Sequence, residues 1–302
     1  MFKSLANRRA RAMVTVVCAL AVGLTVGVLA APAAALELPY PPNARLMAMG
    51  WTFVGVCDQH DPGRTNPGAY GFNGDQVTLS LGAGFGAGLD LDTFNTVYAG
   101  VSDMDRGVGG GGLALVYCKA GEGEDGQGLK YATYGIGKKV ADWCSLGLSL
   151  SYSQAVGSKR GAVTTDAGLM LRLGAISAGV QASSITRSLV GGGIKPETEF
   201  TPSVSVGLAL VPSRAFTLAL DAHGLTGQDE GVEPWYSGGA EVWLKDKIAL
   251  RAGAFGSFEK GAASLSYTGG VGLRIGKAEI GYALVFSDGG LSAQCVTASS
   301  SF

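Results

Sequence analysis

The sequence predicts an all-β fold, a transmembrane antiparallel up-and-down β-barrel of about fourteen strands with an N-terminal segment in its lumen. Three observations predict it. Apolar residues alternate with small or polar ones in successive short segments, the connections alternate between tight and long, and one face of the alternation carries no charge. The run from Val77 to Leu89 shows the first plainly. Val77, Leu79, Leu81, Ala83, Phe85, Ala87 and Leu89 occupy one parity, and Thr78, Ser80, Gly82, Gly84, Gly86 and Gly88 the other. Period two sends these sets to opposite faces of a strand.

Taken in chain order, residues 1–35 read as a signal peptide. Lys3, Arg8, Arg9 and Arg11 precede the apolar stretch from Val14 to Ala31, and Ala33, Ala34 and Ala35 form a small-residue cleavage site. Cys18 leaves with this peptide. Residues 36–73 do not alternate and are too long for a turn, so they are expected to form a hatch inside the barrel mouth, with the barrel itself at 74–302. Mean hydropathy is +0.25, yet no apolar run of the roughly 18 residues a spanning helix needs occurs beyond the N-terminus. The 23 basic and 24 acidic residues include no basic block in the mature chain, which excludes a nucleic-acid partner.

The expected strands are 74–89, 91–103, 108–119, 127–140, 143–156, 161–173, 174–185, 202–211, 214–224, 234–246, 248–258, 263–275, 277–287 and 291–302. Nearly all reach the ~9–11 residues a tilted strand needs to cross a bilayer, whereas soluble strands are nearer ~5–6. Between them, 138–142, Gly174, 211–214, 245–247 and 276–277 are tight, and 119–128, 186–201, 224–234, 259–261 and 287–290 are expected to be longer and more polar. Short turns on the periplasmic side and long loops outside are the outer-membrane arrangement, and an even strand count then places both termini in the periplasm.

One parity is uncharged from strand to strand and is expected to meet outer-membrane lipid: Leu146, Leu148, Leu150 and Tyr152; Leu169, Leu171 and Leu173; Val204, Val206, Leu208 and Leu210; Phe216, Leu218 and Leu220; Ile280, Tyr282, Leu284 and Phe286. A Lys or Arg there would cost about 2–4 kcal/mol at the midplane. Tyr117, Tyr152, Trp235, Phe258 and Phe286 lie near strand ends, where aromatic girdles form. The other parity carries Lys130, Asp166, Arg172, Asp221, His223, Glu241, Lys245, Arg251, Arg274 and Glu279. This set reads either as a selectivity lining for a charged permeant or as a lattice of ion pairs that fills the lumen, since buried charges must be paired. Gly82, Gly84, Gly86 and Gly88, with Gly110 and Gly112, are expected to let the hatch backbone approach the wall.

Cys57, Cys118, Cys144 and Cys295 remain in the mature chain, without zinc-type spacing. An exported compartment permits a Cys57 to Cys295 or Cys57 to Cys118 bridge that ties hatch to wall; the alternative is free small hydrophobes.

The hatch segment contains Ala44, Arg45, Met49, Gly50, Phe53, Val54, Val56 and Asp58, followed by Asn66 and Pro67. In this it resembles the opening of the PorV/PorQ family of outer-membrane barrels and, more distantly, of the FadL-like long-chain fatty-acid transporters. Those families pair an A-R-x-x-x-M-G-x-x-F-V-x-V-x-D stretch with N-P-A-G, whose last two residues are inverted here in Gly68 and Ala69. The final segment, ending on Phe302, looks like the last strand of such barrels, whose terminal aromatic is read by the outer-membrane assembly machinery. The resemblance implies a fourteen-stranded barrel with an N-terminal hatch.

Catalytic and metal chemistry is poorly provided for. His60 and His223 are the chain's two histidines, and no G-x-S-x-G or other marked nucleophile is present, so no catalytic residue, metal or cofactor is assigned. Asp58, His60 and Asp61 lead into an Asp-Pro-Gly turn sequence, which explains them better than an ion would. The run GAGFGAG at 82–88 lacks the following helix of a phosphate loop and reads as a barrel strand. Two functions stay open. In one, the barrel binds or passes a small hydrophobic molecule, with Met47, Met49, Trp51, Phe53, Asn66 and Pro67 as hatch and ligand candidates. In the other, it is a non-transporting partner of a protein secretion system, or a structural barrel.

Overall fold

In the computed structural model, the described residues are 43–57, 65–72, 77–86, 94–103, 109–118, 129–155, 161–190, 202–226, 233–259, 262–287 and 289–302. The segment read as a signal peptide and the Asp58, His60, Asp61 group lie outside them. Among the described residues fourteen antiparallel strands close into a barrel in sequence order, with the first pairing the last. They are β1 (Thr78–Phe85), β2 (Phe94–Asp103), β3 (Gly110–Cys118), β4 (Leu129–Ala141), β5 (Cys144–Ala155), β6 (Gly161–Leu173) and β7 (Ile176–Val190). The circuit continues through β8 (Ser203–Ser213), β9 (Phe216–His223), β10 (Trp235–Leu244), β11 (Ile248–Glu259), β12 (Ala262–Ile275), β13 (Ala278–Ser287) and β14 (Gly290–Ser301). Closure pairs every wall strand on both sides, which removes the exposed edge a bilayer cannot tolerate.

At one barrel end, hereafter the turn end, the β4–β5, β6–β7, β8–β9, β10–β11 and β12–β13 connections are tight. Positive φ at Gly174 (64°), Gly276 (62°), Lys245 (52°) and Asp246 (55°) closes three of these turns, as the twist of short hairpins requires. At the other, loop end the β3–β4, β7–β8 and β9–β10 connections are long, but two residues each join β11 to β12 and β13 to β14, so the expected longer connections at 259–261 and 287–290 are as tight as the turns opposite.

The outward parity is apolar and open: Leu81 is 63% exposed and Leu148 58%, on strands whose inward neighbours are buried. A contiguous band of such residues is what a lipid-facing wall presents, so the barrel is of the outer-membrane type. Tyr117, Tyr152 and Phe286 point outward near strand ends. Trp235 does not join that girdle. Its parity is that of Ser237, Gly239 and Glu241, and its ring is buried in the lumen.

One strand departs substantially from expectation. β7 runs to Val190, five residues past its expected end, because a bulge around Ser184 (φ 54°) interrupts the period-two pattern there. The Asp166 carboxylate on β6 holds the bulge, accepting from Ser184 N at 2.8 Å and from Ser149 Oγ at 3.2 Å.

Residues 43–57 and 65–72 lie inside the barrel. A single helical turn, α1 (Ala44–Ala48), packs against β11 to β14, and a 3-10 turn (Pro67–Phe72) packs against β3 to β6. The segment thus crosses the lumen from wall to wall. Asn43 caps α1 through its side chain, which accepts from Leu46 N at 3.0 Å. Gly50 (φ 68°) and Trp51 (φ 64°) then reverse the chain in the left-handed region.

Candidate functional site: a bolted hatch and the lumen around it

The hatch meets the wall across a belt of inward glycines. A Cβ at Gly110 on β3 or Gly135 on β4 would strike Tyr70; at Gly137 or Gly147, Pro67; at Gly168 on β6, Asn66. The belt continues through Gly179 against Val54, Gly207 against Gly55, Gly239 and Gly253 against Met49 and Gly50, and Gly270 and Gly281 against Ala48 and Ala44. Each glycine removes a side chain where another backbone passes. Among the described residues the approaches therefore run along β3 to β13 and include Gly110 as expected. On β1, Gly82 and Gly84 share the inward parity.

Polar groups lock this contact. On β9, Asp221 replaces the belt glycine with a carboxylate that accepts from three consecutive hatch amides, Phe53 N (2.6 Å), Val54 N (2.8 Å) and Gly55 N (3.3 Å). Asn66 ties the two hatch strands of chain together: its Nδ2 donates to Val54 O (2.9 Å) and Leu169 O (3.1 Å), and its Oδ1 accepts from Gly68 N (3.0 Å). Pro67 is buried against Gly147. Further bonds run from Thr268 Oγ1 to Ala48 O (2.9 Å) and from Ser177 Oγ to Gly55 O (2.7 Å). Hydrogen bonds to a charged partner are each worth about 1.5–3 kcal/mol, so Asp221 is the strongest single fastening.

Toward the turn end, the lumen charges form a ladder of alternating sign. Arg45 of α1 binds Glu241 through two nitrogens (3.1 and 3.0 Å), Arg251 reaches Glu241 (2.6 Å) and Glu279 (2.7 Å), and Arg274 reaches Glu279 (3.0 Å). The Trp243 ring lies under the Arg274 guanidinium at 3.9 Å. For these residues the ion-pair reading describes the geometry, because every buried charge has its partner in place. Arg45→Ala removes the hatch-side member and is expected to cost about 1.5–3 kcal/mol of hatch anchoring. Urea unfolding of the folded barrel, followed by hatch-specific proteolysis, measures it.

Toward the loop end, the hatch presents apolar and aromatic groups. Leu46, Met47, Trp51 and Phe53 pack with Trp235, Phe255, Val285 and Cys295. His223 stacks on Trp235 with centroids 3.7 Å apart, Phe53 tilts against His223 at 5.2 Å, and Trp235 meets Phe255 edge-on at 6.4 Å. Met49 points the other way, into a cluster with Val56, Ala209 and Ala219. Of the ligand candidates, the structure therefore groups Met47, Trp51 and Phe53 on one hatch face and separates Met49 from them; all four are buried in the hatch packing.

Three charged positions lie elsewhere than expected. Lys130 shares the outward parity of Tyr134 and Ile136 and stands beside Tyr117 and Gln154 at the loop end, where its stem can lie on the wall and its ammonium reach water. Lys245 sits in the β10–β11 turn. Arg172 keeps the inward parity but is exposed at the turn-end rim. The cysteines form no disulfide. Cys57 packs against Ala69 and Met170, Cys118 beside Tyr98 and Tyr131, and Cys295 against Ala283, so neither bridge partner is near Cys57.

The wall is thin where the belt passes β7 and β8. On its outer side a shallow apolar cavity of about 500 Å3, lined by Val180, Val206, Leu208, Leu220 and Tyr236, has Gly179 and Gly207 as its floor. Across that floor lie Val54 and Gly55 of the hatch.

No family model matches the chain, and no curated protein matches it. Solved structures do. The barrel is similar to the monoaromatic hydrocarbon channel CymD (TM-score 0.60, 12% identity, covering 88% of this chain and 98% of that one). It is also similar to the Pseudomonas putida toluene transporter TodX (TM-score 0.58, 13% identity, 90% and 99% covered) and to a deltaS2 mutant of the TodX channel (TM-score 0.52, 13% identity, 85% and 96% covered). At these identities the likeness is one of fold, that of a closed outer-membrane-type β-barrel.

Proposed function

We propose that this barrel, placed in the bacterial outer membrane with both termini in the periplasm and its turn end facing inward, binds a small hydrophobic molecule above the hatch and passes it across the membrane. The observation that carries the reading is the buried aromatic cluster at the loop side of the hatch, where Phe53, His223, Trp235 and Phe255 converge beside Met47 and Trp51. Aromatic groups gathered at the mouth side of a plug attract apolar solutes, each well-placed ring contributing about 0.5–1.5 kcal/mol beyond its area. The fold shared with CymD and TodX, described as a hydrocarbon channel and a toluene transporter, supports the same reading. Insertion would use Phe302, which ends the chain beside β1 through the bond from its N–H to Val77 O (2.9 Å).

Quenching of tryptophan fluorescence by toluene in the purified barrel tests it. Saturable quenching is expected, with Phe53→Ala and Trp235→Ala each weakening it about tenfold. Absence of saturable binding, with a secretion-system protein co-purifying instead, would favour the non-transporting alternative.

A further inference from the structure

The lumen wall above the hatch has a second character that the aromatic cluster does not share. On β5 to β7 the inward rows carry oxygen after oxygen. Ser149 faces Asp166 and Ser151 faces Thr164 across β5 and β6, and Gln181 faces Gly168 across β6 and β7. Gly168 is the belt glycine against Asn66, so this stripe starts at the hatch and rises along β6 toward the loop end.

Its two extremes are unsatisfied. Gln181 is 3% exposed and Thr164 1%, yet Gln181 Oε1 and Thr164 Oγ1 have no hydrogen-bond partner. Between them Asp166, also buried, is held only by the neutral donors Ser149 Oγ and Ser184 N. A buried oxygen without a partner carries a desolvation cost that a native wall ordinarily avoids. Two of them flanking a carboxylate in one stripe leave unused hydrogen-bonding capacity around a negative charge, which a ligand donor satisfies and a ligand carboxylate meets as a like charge. The ion ladder does not neutralise that charge, because its cations lie on the turn side of the hatch.

We infer that this stripe receives the hydrogen-bond-donating end of the ligand, so that the molecules taken are hydrophobic alcohols, phenols or amines in preference to carboxylates or plain hydrocarbons. The inference rests on the proposed hydrophobic-ligand function and names its substrate class. In this arrangement the apolar body of the ligand faces the Phe53 and Trp235 side, while its donor steps along Thr164, Asp166 and Gln181.

Isothermal titration of the purified barrel with a matched series, 4-ethyltoluene, 4-ethylphenol, 4-ethylbenzylamine and 4-ethylbenzoate, tests it. The phenol or the amine is expected to bind about tenfold tighter than the hydrocarbon, and benzoate weakest. Thr164→Val, which keeps the side-chain shape, and Gln181→Leu should each lower the ratio of 4-ethylphenol to 4-ethyltoluene affinity. Equal binding across the series, or preference unaltered in both variants, overturns the inference and leaves the hydrophobic-ligand reading standing. So does a preference for benzoate. If no member binds, the hydrophobic-ligand reading fails and this inference with it.

Discussion

Asp221→Ala is expected to release the hatch from the wall while the barrel stays closed. The carboxylate holds three successive amides of the hatch. Its loss leaves three buried donors at the point where the chain turns beneath β9. Three charge-assisted bonds of about 1.5–3 kcal/mol each do not add fully, so a loss on the order of 4 kcal/mol is expected. Asp221→Asn, which keeps one acceptor oxygen, should cost roughly half of that. Cys57 reports the change directly: it is buried against Ala69 and Met170 beneath the lock. In the wild type it is expected to resist a water-soluble maleimide, and in Asp221→Ala to be labelled within minutes. Peptide mapping separates it from Cys118, Cys144 and Cys295. Equal protection in both would mean that Asp221 is not the principal fastening.

Gly179→Val has the second large effect, and it acts by volume. A Cβ at this position would overlap the Val54 carbonyl oxygen. Valine suits a β-strand, so β7 itself tolerates the change and the strain falls on the hatch. Overpacking on the order of 3 kcal/mol is expected, with Val54 driven from the wall and the Asn66 bond to its carbonyl lost. Gly290→Ala is the matched control, because nothing lies within 4 Å of a Cβ there and φ is not positive. Differential scanning calorimetry of the folded barrel, combined with Cys57 labelling, distinguishes hatch displacement from failure of the wall.

The period-two alternation was legible because lipid and lumen make opposite demands on adjacent residues. It therefore placed most strands within a few residues and the outward sets correctly. Misplacements arose where a second force acts. The charge of Lys130 suggests the lumen, but an ammonium at a strand end reaches water from the outer face. The nearness of Trp235 to a strand end suggests a girdle, but its parity pairs it with Glu241. The bulge at Ser184 hid the upper part of β7 by shifting parity inside the strand. The site was legible in part. Arg45, Phe53, Val54 and Asn66 stand in the family-like motif, and the structure explains each as a fastening of the hatch. The partner that holds Phe53 and Val54, Asp221, is more than 160 residues away, and a single sequence does not carry that pairing. The glycine belt was hidden for a related reason. Inward glycines occur on many strands, but which one lies at hatch height depends on the stagger of the closed barrel.

The hatch is a fastened closure of the lumen and not a loose lining. Ionic current through the wild-type barrel in a planar lipid bilayer tests it most directly. No steady conductance is expected from the wild type, and porin-like steps are expected from Asp221→Ala in the same membrane. Steady conductance through the wild-type barrel, unchanged by loss of Asp221, would contradict it.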